Sequence, residues 1–414
     1  MKFLPENVRE RLLPIVLSQG IGIACGIAGV RLTSYLVDPA DYGRYGVFTS
    51  LIPLGSAVLY IGLAKFTSRH WQDDPDRPGL LRQVLAATFP KLPWLAAAAI
   101  VAALLAAPGQ RMLYGTLFFA SAYLLSLTGL AQVALQAGRE HWRDLGVTAG
   151  QSVGRSFLPP LLYAASGAGL AALLAGFLAL AVIGVLLGAG QLRRWFGPSA
   201  AAAPRPELPP NYAGVHFILP AIAGWVLLGL NRWLVVWFFG AETSGYFTLA
   251  GNIGLILPAM LSLIMQQYHQ PGWFAAAHAS RAERAALLRM IDRTALLYTA
   301  LALGATAAVH AGLPLLVGPV IGIKYQAATG YVLAIGCFTT ALSLCSFYHL
   351  LLLAAKRESA CPRTDLGGAA CLVIGSVAAA AAGMEWFKRW LVVAPVVPWL
   401  VNRSLARRAL FREG

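Results

Sequence analysis

The chain has 414 residues, of which 58% are hydrophobic and only 12% charged, with a mean hydropathy of +0.66. An ordinary soluble domain carries roughly 25% charged residues, so a water-soluble globule is excluded. The net charge of +15 does not point to nucleic acid either, because the Lys and Arg residues sit in short loops between apolar runs instead of clustering with aromatics.

The apolar runs are about twenty residues long, the length an α-helix needs to cross ~30 Å of hydrocarbon. They are continuous instead of alternating, so a β-barrel is not expected, and helices are the remaining way to satisfy backbone groups in lipid. The pattern predicts an all-α, polytopic membrane protein with about twelve spans, near residues 12–30, 46–64, 84–107, 112–135, 145–165 and 168–191, then 212–230, 247–267, 294–317, 327–355, 366–383 and 387–402. The N-terminal apolar segment is too long for a cleaved signal and carries Glu6 and Glu10 in its head, so it reads as a retained first span. Basic residues concentrate in the tails and in the loops on the same side as the tails, which predicts that both termini are cytoplasmic.

Between the sixth and seventh spans lies RRWFGPSAAAAPRPELPPN, Arg193 to Asn211, rich in Pro and Ala; it reads as a semi-extended linker. The expected organisation is an N-terminal six-helix bundle over 1–191, a cytoplasmic linker over 192–211 and a C-terminal six-helix bundle over 212–414. The halves read as repeats. RLTSYLVDPADYGRYGVFTS (Arg31 to Ser50) and NRWLVVWFFGAETSGYFTLA (Asn231 to Ala250) match on a shift of 202 residues, which superposes Gly43 on Gly245 and Tyr45 on Phe247. Repeated halves are a feature of secondary transporters.

The five cysteines form no disulfide framework, and no Cys/His spacing suggests a metal. No HExxH, GxSxG or P-loop appears among the motifs, so no enzyme activity, metal or cofactor is expected. All seventeen carboxylates fall in the assigned tails and loops. Exporters of cationic compounds carry intramembrane Asp or Glu to hold a coupling ion, and the absence of one argues against a cationic drug as cargo.

Basic residues behave differently. Arg155 stands about ten residues from either end of span five, roughly 15 Å deep at 1.5 Å per residue. Thr148, Gln151, Ser152 and Ser156 share its face. A cation at that depth costs at least ~2.5 kcal/mol, so an aqueous cavity, a bound anion or free carbonyls must compensate. Pro159 and Pro160 lack amide donors and free carbonyls one turn back, which leaves structural pairing open beside substrate binding. Arg31, Lys65 and Arg232 lie at predicted span ends, where long side chains reach the headgroups. Arg31 and Arg232 differ by one residue after the repeat shift, and two such cations would clamp a pyrophosphate through charge-assisted hydrogen bonds. Polar stripes in span four (Ser121, Thr128, Gln132, Gln136) and span eight (Asn252, Ser262, Gln266) suit sugar hydroxyls or neighbouring helices. Ser18, Gly22 and Gly26 form a small-residue stripe for close packing. Most of the eleven Trp, Trp71 among them, are expected in an interfacial belt.

The stretch from Arg31 to Trp71, RLTSYLVDPADYGRYGVFTSLIPLGSAVLYIGLAKFTSRHW, resembles the N-terminal signature of bacterial polysaccharide flippases of the O-antigen type, a family within the multidrug/oligosaccharidyl-lipid/polysaccharide exporter superfamily. The matching positions are Arg31, Leu32, Pro39, Asp41, Tyr42, Gly43, Gly62, Leu63 and Arg69. Asn231 stands where relatives often have Asp before Arg. The resemblance implies two six-helix bundles around a central cavity and turnover of an undecaprenyl-pyrophosphate-linked oligosaccharide from the cytoplasmic to the periplasmic leaflet of the inner membrane. It implies a cationic cavity, for which Arg155, Arg31, Arg232 and Lys65 are the candidates; Gln151 and Asn252, from the polar stripes, are the further candidate substrate contacts. Membrane lipids, polysaccharide polymerase and chain-length proteins are the further partners expected. Alternatives are a multidrug exporter of the same superfamily, or a polymerase or ligase; no outer loop here exceeds about twenty residues, which disfavours the enzyme.

Overall fold

A computed structural model describes residues 13–71, 76–104, 110–193, 215–276, 281–354 and 361–411. Among these there are fourteen α-helices and no strand. In chain order they are α1 (Leu13–Leu36), α2 (Pro39–His70), α3 (Arg77–Ala86), α4 (Leu92–Leu104), α5 (Arg111–Ala137), α6 (His141–Ser166) and α7 (Leu170–Leu192). Then follow α8 (Val215–Gly254), α9 (Ile256–Ala276), α10 (Arg281–Leu316), α11 (Thr329–Ala354), α12 (Cys361–Ala381), α13 (Met384–Val393) and α14 (Val396–Phe411). The linker predicted over 192–211 lies, beyond Arg193, outside the described residues.

These helices make twelve passes, because backbone breakers divide some apolar runs and extend others. α8 is interrupted at Gly240 (φ 87°, ψ 169°), a region of backbone conformation essentially confined to glycine and costing other residues roughly 1–3 kcal/mol. Its part before Gly240 is one pass, and its part after Gly240 continues with α9 as the next. The last pass is split into α13 and α14 at Ala394 and Pro395, where proline removes an amide donor. The third pass starts later than the predicted 84–107: α3 ends at Ala86, and α4 begins only at Leu92, after a 3₁₀ turn, Phe89–Lys91, containing Pro90. Among the described residues six helical stretches are long and apolar enough to cross a membrane on length and composition alone. α6 is not among them, because it carries Arg155 and a run of polar residues.

The repeat has a structural counterpart. The pass after α1 begins at Pro39 and the pass after the first part of α8 begins at Ala241, 202 residues apart. Leu255, the one residue between α8 and α9, falls at the repeat position of Pro53 inside α2.

The chain forms two compact units, residues 1–37 with 47–221, and residues 38–46 with 222–414. The first two turns of α2 thus group with the second unit and the rest of α2 with the first. In the first unit, α6 lies between α1 and α7 at close range. Gly29 abuts Ser156, and a Cβ on Gly176 would stand 2.5 Å from the Pro159 Cα. α3 inserts Leu80, Leu81 and Val84 beneath Trp71, Phe66 and Leu135, with Asp76 capping its N-terminus by accepting from the Gly79 amide at 3.0 Å. Trp71 is fully buried, a correction to its expected place in an interfacial belt. Trp94, Trp142, Trp237 and Trp386 are exposed, as anchors at a lipid interface would be.

In the second unit, α10, α11 and α14 share a core of Leu287, Ile291, Tyr298, Phe347, Tyr348 and Ala406. It is closed at one end by a polar tie. Arg403 grips Asp292 with both arms, Nε to Oδ1 at 3.1 Å and Nη2 to Oδ2 at 3.0 Å, while the Tyr348 hydroxyl donates to Oδ1 at 2.6 Å. Asp292 was expected in a loop; α10 begins at Arg281 and takes it up as a helical residue.

Candidate functional site

In the first unit the chemistry collects on α6. Arg155 is 14 residues past His141 and 11 before Ser166, so its Cα lies about 16–21 Å from either helix end. At 100° per residue it stands about 40° from Gln151 and about 60° from Ser152. Those neighbours mark the two flanks of its strip. Ser152 and Ser156 face Gly22 and Gly29 of α1, and the Gln151 amide lies against Gly184 of α7 beside Thr128 of α5. Arg155 itself is exposed, and among the described residues it makes no hydrogen bond or ion pair. α6 runs unbroken through Pro159 and Pro160, but the guanidinium does not turn back onto the carbonyls they release. Structural pairing, the alternative left open by the sequence, has no bond to support it among the described residues.

The two glutamines of the α5 stripe are spent on α6, while Thr128 bonds back to the Leu124 carbonyl of its own helix. Gln132 donates to Thr148 Oγ1 at 3.1 Å and Gln136 to Asp144 Oδ2 at 3.0 Å. Likewise in the second unit Gln266 donates to Ser262 at 2.6 Å and to Ser346 at 2.7 Å. Arg31 is exposed, five residues before the end of α1. Lys65 lies on α2, and its side chain is outside the described residues. Lys91, which the sequence reading did not single out, is buried in the 3₁₀ turn and donates to the Leu59 carbonyl at 3.2 Å; it is a structural cation.

The second unit brings Arg232 and Asn252 together on one target, the start of α2. Asn252 Nδ2 donates to the Tyr42 hydroxyl at 2.6 Å, and Arg232 Nη1 donates to the Gly46 carbonyl at 3.4 Å. Arg232 is not at a span end: the apolar run continues through Trp233 to Phe239, so seven residues separate it from the Gly240 break. Beneath these ties the start of α2 crosses α8 at backbone contact. A Cβ on Gly43 would collide with the Ala241 carbonyl, and one on Gly245 with the Pro39 carbonyl; Gly46 lies on Thr248. The three contacts are reciprocal under the 202-residue shift, which exchanges Pro39 with Ala241, Gly43 with Gly245, and Gly46 with Thr248. Such reciprocity is the mark of a two-fold contact. Tyr325 seals the edge, 6.3 Å from Tyr42 and 5.9 Å from Tyr246 between ring centroids.

If Tyr42 and Asn252 act only through their mutual hydrogen bond, Tyr42→Phe and Asn252→Ala should not add. Thermal melting of the two single variants and the double variant is expected to show the double within ~0.5 kcal/mol of either single. Full additivity would mean that the two side chains work separately.

No protein-family model and no curated protein matches the sequence. Solved structures do. An inward-facing multidrug resistance MATE family transporter of the MOP superfamily aligns at TM-score 0.62 and 14% identity over 96% of each chain. An outward-facing MATE transporter of the same superfamily aligns at 0.59 and 13%, over 97% of this chain and 95% of the other. A MOP superfamily transporter from Pyrococcus furiosus Vc1, described by a binding pocket of reverse polarity that suggests a different function, aligns at 0.58 and 14% over 97% and 95%. At this identity the likeness is one of fold: the chain has the MATE-type fold of MOP superfamily transporters.

Proposed function

We propose that the chain is a flippase. It moves an undecaprenyl-pyrophosphate-linked oligosaccharide, such as an O-antigen, capsule or exopolysaccharide unit, from the cytoplasmic to the periplasmic leaflet of the bacterial inner membrane by alternating access, with both termini cytoplasmic. The observation that carries this reading is Arg155: a guanidinium about 16 Å or more from either end of its helix, exposed, and without a protein anion among the described residues. A cation held there at a cost of at least ~2.5 kcal/mol needs water and an anion, and a pyrophosphate supplies the anion. The membrane problem fits, since the prenyl tail can stay in lipid while the charged, hydroxylated head needs a polar path. The MATE-type fold, the resemblance of Arg31 to Trp71 to polysaccharide flippases, and the reverse-polarity description of one structural neighbour all support it. The contacts proposed are Arg155 and Gln151 on α6, Arg31 on α1 and Lys65 on α2 in the first unit, and, separately, Arg232 and Asn252 within the second. Polysaccharide polymerase and chain-length proteins are the proposed partners.

A second reading, multidrug export, is favoured by the description of the MATE neighbours. Depleting the chain in its native host separates the two. Flippase action predicts loss of surface polysaccharide and accumulation of the lipid-linked precursor, with drug susceptibility unchanged. Intact surface polysaccharide with raised susceptibility to cationic drugs would instead establish the exporter.

A further inference from the structure

The second unit gathers arginines where α10 begins and α14 ends. Arg289, Arg293, Arg407 and Arg408 are all exposed, and the carboxylate described among them, Asp292, is already held by both arms of Arg403. Successive passes alternate in direction, so α10 and α14, in the ninth and twelfth, run antiparallel. Arg289, three residues before Asp292, and Arg407, four after Arg403, therefore lie one turn from the Asp292–Arg403 bridge toward the same end. That is the cytoplasmic end by the placement of basic residues. Arg407 is close enough to Asp292 to act on its charge. The strip of α10 that carries Arg289 and Arg293 turns apolar further into the membrane and stays open there: Leu296 is 72% exposed, Ala300 is exposed, and Leu303 is 38% exposed.

We propose that this strip binds an anionic phospholipid of the cytoplasmic leaflet. Arg289 and Arg407 take the phosphate, and Leu296, Ala300 and Leu303 lie along an acyl chain. Arginine suits the phosphate because its planar fork gives two parallel hydrogen bonds. Basic clusters between membrane helices on the cytoplasmic side recognise anionic headgroups. The open leucines distinguish a lipid from a free phosphate, which would have no use for them. The Asp292–Arg403 bridge acts beneath the headgroup as a spacer. It engages Arg403 and leaves Arg289 and Arg407, one turn nearer the cytoplasm, to the lipid.

The full-length protein, delipidated in detergent, is examined by native mass spectrometry with phosphatidylglycerol, phosphatidylcholine or glycerol 3-phosphate. The intact protein is expected to retain phosphatidylglycerol over phosphatidylcholine, with glycerol 3-phosphate unable to displace it. Arg289→Gln with Arg407→Gln should weaken retention on the order of tenfold, since each arginine near an anionic lipid contributes a several-fold factor. Removing the same charge by Arg82→Gln with Arg111→Gln should leave retention unchanged. Leu296→Gln, which keeps every arginine, should also weaken it. Equal retention in the Arg289/Arg407 variant and the intact protein would overturn the proposal. Displacement of the lipid by glycerol 3-phosphate would overturn it too, by making the site one for free anions.

Discussion

Gly245→Ala is expected to remove most correctly folded protein from the membrane, and Gly43→Ala to do the same, although each adds a single methyl group. At both positions the new carbon collides with a backbone carbonyl, that of Pro39 or of Ala241. A flexible side chain could rotate away; a carbonyl in a helix can withdraw only by parting the helices. Overpacking of a tight contact costs about 1–3 kcal/mol, and here the same contact recurs at its repeat position, so the strain cannot be passed along the crossing. Gly304→Ala is the control, because nothing lies within 4 Å of the added carbon and an added methyl favours the helix by up to ~1 kcal/mol. Size-exclusion profiles and melting curves of the purified variants check this. If Gly245→Ala and Gly304→Ala are equally well folded, the crossing is looser than its geometry.

Arg155→Ala is expected to leave folding intact and reduce transport roughly ten- to a hundredfold. Arg155 makes no hydrogen bond or ion pair among the described residues, so its loss frees no partner and opens no buried void. A hydrogen bond to a charged group contributes about 1.5–3 kcal/mol, and that range sets the expected factor. Arg155→Lys should retain part of the activity, since an ammonium keeps the charge but not the bidentate fork. Arg155→Glu should abolish it by placing like charge against the phosphates. The measurement is surface polysaccharide at matched protein levels. Wild-type polysaccharide with Arg155→Ala would assign the guanidinium to something other than the cargo.

The all-helical fold was readable because hydrophobic runs of about twenty residues leave few alternatives, and the repeat was readable because Gly43 and Gly245 occupy positions where only glycine fits. Arg155 was readable for a related reason: a charge amid apolar residues is conspicuous whatever surrounds it. What hydropathy could not show is where an apolar run is broken. Gly240, Pro90 and Pro395 divide or shorten helices through backbone geometry, which a sliding average does not register. The first part of α8 runs past Arg232 before Gly240 breaks it, so that a residue expected at a span end lies more than two turns inside. Trp71 was misplaced because a tryptophan near a span end can face lipid or protein, and α3, which covers it, carries too few apolar residues to stand out. The tie between Asp292 and Arg403 joins residues 111 apart in the chain, and no local pattern announces it. Arg232 stands out in the sequence by its repeat position opposite Arg31, and Asn252 by its place in a polar stripe; their bonds to Tyr42 and Gly46 depend on a crossing of two helices that only the folded chain displays.

The most direct test is translocation by the purified protein reconstituted in vesicles that carry an undecaprenyl-pyrophosphate-linked oligosaccharide in one leaflet, followed by the accessibility of the sugar to an enzyme confined to the other side. The intact protein should move the lipid-linked sugar across, and Arg155→Ala should slow this at least tenfold while remaining folded. No translocation beyond that of protein-free vesicles, from an intact protein that exports cationic drugs in the same membranes, would contradict the flippase reading.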